Sequence, residues 1–211
     1  LVLSASSFLV FSNLYVVQPL LSMFAQRYSV SLNLANWIFA AASLGMSLFL
    51  IPWALLADRY GRRLVMLLSL SLSALLSFSL VLSDSITAWI TLRFLQGVAL
   101  AGLPAVAIAY ISEEFEASAV VPAVGIYIAA NSIGGISGRI FGGVLAETFG
   151  LNAPMIFTAA LTLGGALMTY RYLPRERYFT AQSLAFKTVL TNLCGHIKNP
   201  LLWRTFLISG I

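Results

Sequence analysis

The chain has one cysteine and one histidine in 211 residues. A lone Cys194 excludes an intrachain disulfide and any CxxC metal site. His196 stands in a polar, basic stretch and completes no Ser/His/Asp set. Charge is scarce too: 9% of residues are Asp, Glu, Lys or Arg, and only seven residues are acidic. Soluble domains carry about 25% charged residues. No metal spacing and no phosphate-cradling loop occurs, so neither an enzyme nor a cofactor is expected. The net charge of +5 comes without any run of interleaved basic and aromatic residues, which argues against a nucleic-acid partner.

Apolar residues are what the chain has in excess. They make up 60% of it, and the mean hydropathy is +0.93. Six apolar segments are long enough to span a bilayer, roughly 1–25, 33–56, 64–82, 86–111, 119–146 and 153–172; about 20 residues suffice. The expected fold is an all-α membrane protein, a bundle of six transmembrane helices whose sequential members lie antiparallel as neighbours. Residues 1–172 form that domain, 173–200 a polar and basic linker, and 201–211 the start of a seventh span. The chain begins inside an apolar run without a basic n-region and stops a few residues into another, which reads as a fragment of a longer membrane protein.

Basic residues orient the bundle. Arg27 alone follows the first span, whereas Arg59, Arg62 and Arg63 follow the second and Arg171, Arg175, Arg177, Lys187 and Lys198 follow the sixth. Eight against one places the second-to-third connection and the linker in the cytoplasm. The two three-span halves then run in opposite directions, as an inverted repeat requires. In the linker, Phe186, Val189, Leu190, Leu193 and Ile197 make an apolar stripe, suited to a surface helix on lipid or to one packed on its own protein.

The second connection, Ala54-Leu-Leu-Ala-Asp58-Arg59-Tyr-Gly61-Arg62-Arg63, holds four charges in six residues between two uncharged runs. It reads as a tight polar hairpin, with Gly61 allowing the bend. It resembles the G-x-L-A-D-R-x-G-R-R loop of the major facilitator superfamily, with Ala54 where that family has glycine. Two further motifs follow in order. Arg93, Gln96 and Gly97 in the fourth span are similar to that family's R-x-x-Q-G. Gly134, Gly138, Gly142 and Gly143 in the fifth fit its antiporter motif G-x-x-x-G-P-x-x-G-G, except that Arg139 replaces the proline. That departure weakens an antiporter assignment. Tyr15-Val-Val-Gln18-Pro19, Tyr110-Ile-Ser-Glu-Glu114 and Leu173-Pro-Arg-Glu-Arg177 look similar to the YnfM-type, arabinose-efflux-like bacterial inner-membrane transporters.

The resemblance implies the N-terminal half of a twelve-helix, proton-coupled secondary transporter that exports a small molecule by alternating access. Its partners would be that substrate, membrane lipid and a C-terminal six-helix half. A non-transporting receptor or scaffold, an inactive fragment, or a pair of six-helix copies are the other readings. The site expectations follow from both sources. Asp58, Arg59, Gly61, Arg62 and Arg63 with Glu113 and Glu114 would form a cytoplasmic latch favouring the outward-facing state; the bland alternative is a topological anchor. Arg93 is a lone charge in lipid and must face a watery cavity or snorkel to the interface. Arg139 lies at a similar depth, so the two suggest one electropositive pocket. Asn13, Tyr15, Gln18, Gln96, Tyr127 and Asn131 would complete a cavity wall, or singly make interhelical hydrogen bonds. The glycines let helix backbones approach.

Overall fold

The computed structural model describes residues 1–176. Six spans long and apolar enough to cross a membrane run Val2–Arg27, Leu32–Tyr60, Arg62–Val81, Ile86–Glu114, Ala117–Phe149 and Ala153–Tyr172. Two of them are interrupted. The helices are α1 (Val2–Tyr15), α2 (Leu21–Arg27), α3 (Leu32–Tyr60), α4 (Arg62–Val81), α5 (Ile86–Leu100), α6 (Gly102–Glu114), α7 (Ala117–Phe149) and α8 (Ala153–Tyr172), with a 3-10 turn at Gln18–Leu20 between α1 and α2. The apolar linker stripe, Cys194, His196 and the seventh-span segment lie outside the described residues.

Both interruptions have local causes. Pro19 has no N–H to give the Tyr15 carbonyl, and α1 stops at Tyr15. At the junction of α5 and α6 a side chain enters the ladder. The Ser69 hydroxyl of α4 donates to the Ala99 carbonyl (2.6 Å) and accepts from Leu103 N–H (3.1 Å), so it replaces the direct bond between those two groups.

The connection at 57–63 is shorter than expected. Asp58, Arg59 and Tyr60 belong to the last turn of α3, and Arg62 and Arg63 to the first turn of α4. Gly61 alone is non-helical, at φ 94° and ψ 147°. The helices run past the apolar boundary because arginine is a good helix former and aspartate is tolerated there once the chain is in water.

Sequential spans are not the most extensive neighbours. The most extensive helix pairings are α3 with α5, α1 with α7 and α4 with α8, which join the second span to the fourth, the first to the fifth and the third to the sixth; the third and fourth spans, which follow each other in the chain, also pack extensively. Hairpin length sets direction only; burial goes where backbones approach closest. Gly134, Gly138 and Gly142 of α7 lie against Phe8 and Ser12 of α1 and Val16 just after it, so close that a Cβ at any of them would run into those residues' carbonyl oxygens. The register rises by four on both helices, so α1 and α7 run parallel. Gly45 of α3 and Gly97 of α5 do the same for the second and fourth spans, against Phe94 and Ala42. Exchanging each span with the one three later turns the 1–5 pair into the 4–2 pair and leaves the 3–6 pair unchanged. That invariance is the inverted repeat. The outer faces, including Leu48, Leu75, Ile136 and Leu167, are apolar and exposed, as lipid contact requires.

Candidate functional site

Arg93 is completely buried. Its guanidinium donates from Nη2 to the Leu14 carbonyl (2.7 Å), from Nη1 to the Asn13 carbonyl (3.2 Å) and to Gln96 Oε1 (2.5 Å), and from Nε to the Ile38 carbonyl (3.3 Å). The last carbonyls of a helix have no intrahelical donor. Arg93 supplies donors to those at the end of α1 and puts positive charge at that helix's negative pole. The residue therefore neither opens to a cavity nor snorkels. Its place is fixed by the break before Pro19 and by the close approach of Gly97 to Ala42, which brings α5 onto α3.

A polar network continues inward from it. Gln96 Nε2 donates to Asn13 Oδ1 (2.9 Å) and to Ser77 Oγ (2.6 Å), and Asn13 Nδ2 donates to Ser77 Oγ (3.0 Å) and Thr162 Oγ1 (3.3 Å). Asn13, Gln96 and Ser77 are all fully buried. The network joins the first, third, fourth and sixth spans. Its serine was legible in principle, since Ser69, Ser73 and Ser77 recur every four residues on one face of α4.

Arg139 has a different setting. It lies on the exposed surface of α7, donates from Nε to Gln18 Oε1 (2.6 Å) and from Nη1 to the Gly135 carbonyl (3.3 Å), and stacks 4.1 Å from the Tyr15 ring centroid. The two arginines do not share a pocket: one is closed inside the bundle and the other faces out. Tyr127 is buried in the core, and Asn131 accepts a hydrogen bond from Ser7. Of the expected cavity wall, Tyr15, Gln18 and Arg139 come together at the surface, while Asn13, Arg93, Gln96 and Tyr127 are interior. Gly143 meets the Pro19 ring at 3.7 Å from where a Cβ would stand, ordinary contact distance.

At the end of the bundle where α3 turns into α4, Arg62 Nη2 lies 2.5 Å from Glu113 Oε1 and 3.9 Å from Asp58 Oδ1. The pair ties the start of α4 to the end of α6. Arg59 stacks on Tyr60, 5.4 Å from its ring centroid, and Glu114 also has a bonding partner. Arg63 turns the other way. Its Nη2 donates to the Tyr170 carbonyl (2.6 Å), and its backbone N–H donates to Glu176 Oε1 (2.8 Å). Glu176 was not singled out from the sequence. A signal existed, because the residue capping α4 is Gly61, which has no side chain to accept from the first-turn N–H groups. Glu176 does that work from beyond the sixth span, and a Cβ on Gly61 would stand 2.7 Å from its Oε2.

The major facilitator superfamily model matches residues 3–211. The chain is 32% identical over 97% of its length to the uncharacterized MFS-type transporter YybF of Bacillus subtilis, and 32% identical over its whole length to the inner membrane transport protein YnfM of Escherichia coli. A 33% match over 76% of the chain reaches the multidrug resistance protein Stp of Mycobacterium tuberculosis. The chain spans about half the length of YybF and YnfM, 51% of each. Among solved structures, a bacterial homologue of the human lysosomal transporter Spinster superposes with a TM-score of 0.73 at 19% identity, over 83% of this chain and 43% of that one. The POT family transporter PepTSo gives 0.74 at 17%, over 86% and 38%. With its six spans, inverted-repeat pairing and full-length family match, the chain belongs to the major facilitator superfamily and is a multi-pass integral membrane protein carrying the N-terminal six-helix half of that fold.

Proposed function

We propose that this half belongs to a secondary transporter of the bacterial inner membrane that exports a small molecule by proton-coupled alternating access. The observation that carries the reading is the cytoplasmic cluster. Arg62 reaches Glu113 across from α4 to α6 at 2.5 Å, while Asp58 is left with only a 3.9 Å contact to the same arginine. That arrangement suits a latch whose remaining partner is on a second six-helix half. Alternating access in inverted-repeat transporters rocks one bundle against another around a midplane site, so both halves are needed. The names of YnfM and Stp, a transport protein and a multidrug resistance protein, support membrane export. The only buried charged residue among those described is Arg93, so we assign the proton-carrying carboxylate to the second half.

Everted inner-membrane vesicles test this. Vesicles containing the complete transporter, energised to be acidic inside, are incubated with cytosolic extract, and their contents are compared by mass spectrometry with vesicles lacking it. At least one small molecule should accumulate and be lost when a protonophore collapses the gradient. Accumulation of nothing, or accumulation indifferent to the protonophore, would contradict the reading.

A further inference from the structure

We infer that Arg139, Gln18 and Tyr15 form a binding site for the carboxylate of a monoanionic organic substrate, an inference that rests on the transporter reading and names its substrate class. Arg139 lies ten residues before Phe149 at the outer end of α7, roughly 15 Å into the span at 1.5 Å per residue. Among the described residues, the ion pairs are those of Arg62 with Asp58 and Glu113; no carboxylate lies within 4 Å of Arg139. A charge at that depth requires water or an anion in front of it.

The guanidinium is held ready. Gln18 takes the Nε proton and the Gly135 carbonyl takes one from Nη1. Three of the five N–H groups remain, including both on Nη2. Tyr15 supports the planar face from below and is itself braced by Phe39 of α3, with ring centroids 5.6 Å apart. Gly135 makes room for that stack, since a Cβ there would press on the Tyr15 ring at 3.1 Å. A fixed planar fork with free donors matches a carboxylate. The aromatic pair beside it offers an apolar wall to the rest of the molecule.

The direction of the site is also set. Residues 139 and 141 are 200° apart on a helix turning 100° per residue. Phe141 meets Phe157 of α8, ring centroids 6.1 Å apart. Arg139 therefore points to the opposite flank, toward the end of α1, where Tyr15 in turn meets Phe39 of α3. A charged group cannot face acyl chains there, so that flank borders the translocation cavity. The contrast with Arg93 decides which arginine binds: four oxygens inside the bundle take all but one of the five donors of Arg93, which is closed off from solvent, while Arg139 keeps three donors and exposure. One uncompensated charge suits a monoanion better than a phosphate dianion.

The complete transporter in nanodiscs is titrated calorimetrically with acetate, benzoate and octanoate, and with the matching neutral amides. At least one carboxylate should bind saturably at millimolar concentration or below, its amide should bind at least about tenfold more weakly, and Arg139→Gln should lose tenfold or more, the range of a charged hydrogen bond. Arg139→Lys should recover part of that loss. Thermal stability of both variants should stay near wild type, since the residue is exposed. Saturable binding of none of the three, equal binding of acid and amide, or unchanged binding in Arg139→Gln would each overturn the site. A carboxylate of the second half pairing with Arg139 would produce the first of those results. The vesicle assay separates the two readings: gradient-driven accumulation without carboxylate binding removes this site alone, whereas binding without accumulation removes the transporter reading alone.

Discussion

At the scale of single residues, two arginines with the same sequence context prove to be different objects. Arg93 and Arg139 each interrupt an apolar span at similar depth, and periodicity cannot separate them. What separates them is the broken end of α1. Its free carbonyls at Asn13 and Leu14 turn Arg93 into a capping group. The motif was legible, but its partners were not, because they are 79 and 80 residues away and depend on which spans touch. Stability should divide the two. Arg93→Gln removes the donors to three buried backbone carbonyls, those of Asn13, Leu14 and Ile38, and should destabilise the folded protein by about 3 kcal/mol or more. Arg139→Gln, at an exposed position, should cost under about 1 kcal/mol. Thermal unfolding in detergent compares them directly; an Arg93→Gln protein as heat-resistant as wild type would remove the capping role.

At the scale of elements, six spans and their order were readable from hydropathy alone, since a bilayer leaves the backbone few options. The breaks were not. Ser69 opens the α5–α6 ladder from another helix; Gly102 and Pro104 mark a weak point there, Pro104 lacking the N–H for the Leu100 carbonyl, but not the hydroxyl that fills it. The glycine row of α7 was readable as a packing device, but which helix it packed on was not. Its partner is α1, reached through a four-residue register shared by both helices. Gly45 on α3 was not singled out, although it works with Gly97 in the symmetry-related pair. The glycines predict graded outcomes. Gly97→Ala and Gly138→Ala would drive a methyl into a carbonyl oxygen of the facing helix and should destabilise by about 2 kcal/mol, in the range of overpacked cores. Gly125→Ala, with nothing within 4 Å of the new atom, should be neutral or stabilising by up to about 1 kcal/mol. Equal unfolding temperatures for all three variants would show that the close approaches tolerate a side chain.

At the scale of the whole molecule, the question is what the Arg62–Glu113–Asp58 cluster does beyond this half. Within the half, its strongest elements are short. Arg62 meets Glu113 at 2.5 Å, and Glu176 caps α4 through the Arg63 N–H at 2.8 Å. Asp58 contributes least, since its contact with Arg62 is 3.9 Å against 2.5 Å for Glu113, both carboxylates being exposed. Exposed pairs of that kind are worth at most about 1 kcal/mol. An aspartate kept only for this half would therefore be nearly dispensable. If instead it biases the rocking of two halves, its loss acts on a conformational equilibrium, where each 1.4 kcal/mol of bias changes a population ratio about tenfold. Asp58→Asn in the complete transporter should thus lower gradient-driven accumulation in everted vesicles by about tenfold, while shifting the unfolding free energy by less than about 0.5 kcal/mol. Glu113→Gln should do the reverse in proportion, with a larger loss of stability relative to transport, because its contact with Arg62 is the closer of the two. Wild-type accumulation by Asp58→Asn at equal membrane abundance would reduce the cluster to a topological anchor, held in the cytoplasm by its basic residues and by nothing more.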